Sequence, residues 1–144
     1  MKALKKTGTI LICIPGVLLF LFIIWELFGM AVNNVEASFN TDSLVNSISN
    51  MGDDAEILDT YTFVGNSSGT GNHCDLVSAV LVRTEQYADL NYYVKFGRIY
   101  PLSEMTEHFY ARWSKKLNFP EENANCYLVI EINSAPFADN IMGH

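Results

Sequence analysis

Three reactive side-chain types stand side by side at His73, Cys74 and Asp75, directly after the glycine-rich run Gly69-Thr70-Gly71-Asn72. A thiol becomes a nucleophile when a base lies within hydrogen-bond reach, so the chemistry this trio suggests is that of a thiol hydrolase or transferase. His73 is badly placed as that base, because neighbouring side chains of an extended chain point to opposite faces. His108 is the alternative. It follows Met105 by three and precedes Phe109, so its spacing does not fix whether it faces the core or water. The competing and preferred reading of the same residues is a hairpin tip with a buried thiol.

Two other chemistries fail on spacing. A phosphate-binding loop needs a Gly-Lys-Ser/Thr ending, which is absent. A metal would have to draw on His73, Cys74, Asp75, His108 and His144, which lack the paired Cys or His spacing of a metal site. Neither a metal nor a cofactor is expected. Ten aromatic residues crowd the stretch from Tyr87 to Tyr127. Most are needed for a core, but Tyr92, Tyr100 and Tyr110 are candidates to line a concave surface for a peptide or sugar. Asn66-Ser67-Ser68 fits a glycosylation acceptor.

The elements that must position these residues follow from periodicity. Leu44, Val45, Ile48 and Met51 recur at helical spacing behind Thr41 or Asp42 as a cap, which predicts a helix over Asp42–Met51 stopped by Gly52, or a continuation of the N-terminal anchor helix if the break at Asn33-Asn34 is only apparent. Ala55–Val64 is rich in β-branched and aromatic residues and predicts a strand; Leu76–Val82, apolar at nearly every position, predicts a second strand buried on both faces. The two form a hairpin whose long tip, Gly65–Asn72, carries the reactive trio at its end. Thr84, Tyr87, Leu90 and Val94 predict a helix ending before Gly97, and Pro101 and Ser103 introduce another in which Met105, Phe109 and Trp113 share a face. Asn118–Asn125 is turn-rich, Cys126–Asn133 is the last strand, and the residues after Ser134 read as a loosely held tail. The expected class is α+β, with a small, mainly antiparallel sheet packed by one or two helices.

Ahead of this domain, Thr7 to Trp25 contains no charged side chain. As a helix the 21 residues Gly8 to Phe28 extend about 31 Å, the thickness of a bilayer's hydrocarbon core; the runs Ile10–Ile12 and Val17–Ile24 are apolar on every face, and Trp25 and Glu26 mark the far interface. The expectation is a transmembrane anchor over residues 7–28, with Cys13 a packed thiol inside it. A cleavable signal peptide is the rival, although the apolar run exceeds the usual length for one. Lys2, Lys5 and Lys6 precede the span and the next basic residue is Arg83, so the N-terminus, residues 1–6, is expected in the cytoplasm. Residues 29–40 then form a linker, and residues 41–144 an extracytoplasmic domain. That address favours a disulfide between Cys74 and Cys126. Strands alternating in direction oppose it, because they would put the two thiols at opposite ends of the sheet.

From Ser38 onward the chain carries 14 Asp and Glu against 6 Lys and Arg, a net of −8. Such a field repels phosphate backbones, which excludes a nucleic-acid partner. What remains is a single-pass membrane protein, held in lipid by its anchor, that presents a small acidic domain to a protein partner. The alternatives are a membrane-tethered thiol hydrolase or transferase using Cys74 with His73 or His108, and a structural subunit whose span does the binding.

Overall fold

The computed structural model describes residues 2–67, 69 and 73–137, and for residues 2–13 and 53 the backbone alone. It is an α+β arrangement of three helices and a four-stranded antiparallel sheet. The chain order is α1 (Lys2–Ser49), β1 (Ala55–Gly65), β2 (Asp75–Thr84), α2 (Tyr87–Tyr93), β3 (Arg98–Pro101), α3 (Glu107–Trp113) and β4 (Cys126–Ser134).

Of the two readings of Leu44 to Met51, α1 follows the continuous one: residues 29–40 are helical rather than a linker, and no separate helix begins at Asp42. α1 is one helix of 48 residues that runs unbroken through Pro15 and through the Asn33-Asn34 pair. The polar residues that looked like a break instead satisfy the helix's own carbonyls. Asn34 Nδ2 donates to Met30 O (2.8 Å), Ser38 Oγ to Asn34 O (3.1 Å) and Ser47 Oγ to Ser43 O (2.9 Å). Thr41, expected as a cap, lies with its hydroxyl 3.1 Å from the Ala37 carbonyl one turn back. Gly52, at φ +84°, ends the segment as expected.

The two halves of α1 have different surroundings. Every apolar side chain from Ile14 to Phe28 is exposed, and this is a helix long and apolar enough to cross a membrane. Beyond it, Asn33, Ala37, Thr41, Leu44 and Ile48 are buried in a stripe at helical spacing and lie on the sheet.

The strand order is β1-β2-β4-β3, so β2 is interior, as its unbroken apolar run requires. Alternation along β2 sorts its side chains between two layers. Val80 and Val82 join Leu44 and Ile48 of α1, Leu90 and Val94 around α2, and Val129. Val77, Ala79 and Leu81 face the other way, onto Leu102, Trp113, Leu117, Cys126, Leu128 and Ile130. Met105 and Phe109 pack at the edge of that second layer.

Two expectations downstream need correction. Arg98–Pro101 is a strand, paired with Tyr127–Ile130 at the sheet edge, where the proline at its end does no harm. The following helix starts later than Pro101 or Ser103: a 3-10 turn, Leu102–Glu104, intervenes, and Thr106 caps α3 by accepting from Phe109 N. The segment after Ser134 is also held, as far as it is described. Ala135 N donates to Cys74 O (2.9 Å), and Phe137 exchanges two hydrogen bonds with the buried Asn33 side chain, at 3.0 and 3.1 Å. The Phe137 ring packs edge-on against Trp25 and Phe28 at 5.4 and 5.7 Å. Residues 138–144 lie outside the described residues.

Candidate functional site

Cys74 is buried with Ala37, Val64, Leu76 and Ala135, on the α1 side of the sheet. Asn33 Nδ2 points at its sulfur from 3.7 Å. Burial pushes the thiol's pKa up, and the neighbouring Asp75 carboxylate adds to this, against smaller opposing effects from Asn33 and the Gly65 backbone. A nucleophilic cysteine needs the opposite shift.

Neither histidine is positioned to help. His108 is exposed on α3, across the sheet from Cys74. His73 lies on the opposite side of the extended chain from the thiol, with Nε2 3.4 Å from Asp75 Oδ2. That same carboxylate oxygen accepts from Ser67 N (3.1 Å) and from the Ser67 hydroxyl. Ser67, Asp75 and His73 thus meet, a grouping the sequence reading missed. The carboxylate stands in the middle, whereas a hydrolytic relay needs the imidazole there. The contact ties the hairpin tip shut. Ser68 and residues 70–72 of that tip, and His144, lie outside the described residues. Among the described residues no three His, Cys, Asp or Glu side chains gather as metal ligands.

Cys74 and Cys126 lie as the strand-direction argument placed them, apart. Both thiols are buried and free. In the β2–β4 register Asp75 faces Ser134 and Arg83 faces Cys126, so the two lie at opposite ends of the sheet. Nine residues of strand separate them by about 30 Å, far beyond the ~7 Å a disulfide tolerates.

A constellation with binding chemistry lies on the other face, in a cleft of about 440 Å³ between α3 and the sheet. Phe63, Tyr100, Phe109 and Trp113 supply aromatic walls, and Arg98, Arg112 and Lys116 reach it from β3, from α3 and from the turn after α3. Lys116 Nζ sits 4.7, 5.2 and 5.4 Å from the ring centres of Tyr61, Phe63 and Trp113, which fixes a flexible cation in place. Arg98 depends on a tight turn between α2 and β3. A Cβ on Gly97 would come within 2.6 Å of Val94 Cγ1, so only glycine fits.

Of the three tyrosines expected at a concave surface, Tyr100 lines this cleft. Tyr92 lines a separate hollow of about 390 Å³ beside α1, and Tyr110 packs against Phe119 at 4.9 Å. Asn66, the glycosylation candidate, borders the cleft and accepts from Gly69 N through its side chain (2.7 Å). Comparison of the chain with protein-family models, with characterised proteins and with solved structures finds no match.

Proposed function

We propose that this chain is a single-pass membrane protein whose N-terminus stays in the cytoplasm and whose sheet stands on the far side to bind another protein. The observation that carries this reading is α1 itself. From Ile14 to Phe28 its apolar side chains are exposed, with three lysines near the chain's start and Glu26 at the far end of the stretch, and from Asn33 onward it is part of the folded core. A helix that wants lipid on every side, joined without a break to a packed sheet, suits a rigid pedestal. The cleft beside α3 suits recognition: aromatic walls and fixed cations are interface chemistry, and the Ser67 hydroxyl at its border is held by the Asp75 carboxylate of the hairpin tip. The enclosure of Cys74 and the place of His108 across the sheet from it speak against the thiol-hydrolase reading.

A topology reporter fused after His144, together with alkaline extraction and partner cross-linking in intact cells, tests the proposal. The expected result is a chain that resists extraction, carries an extracytoplasmic reporter and cross-links to a discrete partner. A cytoplasmic reporter or a chain released by alkali would overturn it.

A further inference from the structure

We infer that the cleft beside α3 and the adjoining open edge of β4 form a docking site for an extended acidic peptide segment with aromatic or large aliphatic neighbours, belonging to the protein partner. This deepens the interaction reading above and rests on it.

Charge is the first observation. From Ser38 onward the chain has six Lys and Arg against 14 Asp and Glu, yet three of the six converge on one cleft that, among the described residues, no Asp or Glu lines. The three come from residues 98, 112 and 116, so tertiary structure gathers them. His73 pairs with Asp75 and Arg83 with Glu56, whereas among the described residues no ion pair involves Arg98, Arg112 or Lys116. Clustering like charges costs free energy, and an acidic chain has carboxylates to spare for neutralising them. Leaving them together suits an incoming carboxylate, which guanidinium groups recognise through paired, charge-assisted hydrogen bonds.

Shape and surface extend the ligand beyond a lone anion. The volume lies within the range of ordinary ligand sites, and its floor is aromatic. Its rim carries two large apolar side chains facing water, Phe96 at 85% and Ile132 at 56% exposure. An anion alone would leave these uncovered. Apolar residues beside the acid would bury them.

Backbone is the third observation, and it selects a peptide. β3 pairs with β4 only from Tyr127 to Ile130, whereas β4 continues to Ser134. Among the described residues the outer edge of β4 from Glu131 to Ser134 therefore has no strand partner, and Ile130 and Ile132 of that strand line the cleft. An open edge beside side-chain pockets is how sheets accept an added strand: backbone hydrogen bonds hold the peptide, and alternate side chains enter the pockets. A lipid headgroup or a small anion has no use for that edge.

The test uses the full chain in detergent micelles and fluorophore-labelled six-residue peptides, acetylated and amidated, with a central glutamate or glutamine flanked by phenylalanine and valine. Fluorescence anisotropy is expected to show the glutamate peptide binding about tenfold more tightly than its glutamine counterpart at low salt, the size of one charge-assisted contact. The preference should shrink at high salt and vanish in the variant Arg98→Gln/Arg112→Gln/Lys116→Gln, whose fold is checked by circular dichroism. Equal binding of the two peptides, or no binding, overturns the inference. So does cation-dependent binding of phosphatidylglycerol vesicles without peptide binding, which would make the cleft a lipid site. Cross-linking in cells separates this inference from the reading beneath it. A partner captured equally by wild type and triple variant overturns the cleft inference and leaves the interaction reading standing. A glutamate preference with no captured partner overturns the interaction reading alone.

Discussion

Against α1 the sheet meets a helix long enough to cover it, in a contact built from Leu44, Ile48, Val80, Val82 and Val129; against α3 it meets two turns of helix, which cover Val77, Leu81 and Leu128 and stop short of Ile132. The polar groups differ in the same sense. On the α1 side Asn33 is matched to Phe137, and the Thr41 hydroxyl lies 2.7 Å from Thr62 Oγ1 and 2.9 Å from Ser78 Oγ, so buried polarity is consumed inside the fold. On the α3 side Arg98, Arg112 and Lys116 face the cleft. The difference teaches a division of labour: one face holds the molecule together and the other is left with unspent charge.

Substitutions on the two faces should therefore behave differently, and the largest effect belongs to the closed one. Ile48→Ala, at a fully buried position, is expected to cost about 2–5 kcal/mol of unfolding free energy, read from urea denaturation in detergent. A loss near that of an exposed site would mean that α1 does not pack there. Asn33→Ala comes next, at about 1–3 kcal/mol, because it strands the Phe137 N–H and carbonyl. Its sharper readout is limited proteolysis, with cleavage near Phe137 accelerated in the variant.

Smaller again is a pH effect at Cys74. Its pKa is raised in the fold by burial and by Asp75, so the folded state favours the neutral thiol. The stability this contributes is complete below the ordinary thiol value of 9.0 and is lost as pH climbs from there through the raised folded value. Cys74→Ala should flatten that alkaline decline, and native Cys74 should alkylate far more slowly than the unfolded chain. Rapid alkylation in the native state would reopen the thiol-enzyme reading.

Much of the closed face was legible in the sequence. Leu76 to Val82 has no solvent-facing alternation, which placed β2 inside the sheet, and neighbour alternation at His73-Cys74-Asp75 already separated imidazole from thiol. The reach of α1 was legible only as an alternative to a separate helix, because its sheet-facing stripe begins with Asn33, Ala37 and Thr41. These are small or polar residues that hydrophobic periodicity cannot detect, and their hydrogen bonds to the preceding turn are a tertiary outcome. β3 escaped because four residues ending in proline resemble a helix start. Of the cleft only Tyr100 was legible. Residues 98, 112 and 116 share no sequence pattern and meet only because β3 pairs with β4 while α3 lies across the same face.

The smallest effect on stability is the most informative. For Arg98→Gln/Arg112→Gln/Lys116→Gln, the urea midpoint and the glutamate-over-glutamine peptide preference should be measured on the same detergent-solubilised preparation. Arg98 and Arg112, exposed, should change stability by about 0.5 kcal/mol or less each, and the loss of the ring contacts of Lys116 adds about 0.5–1 kcal/mol. A division of labour between the faces predicts a midpoint close to wild type with the peptide preference gone. A collapsed midpoint with the preference intact would contradict it, and would make the three cations part of what holds the fold together.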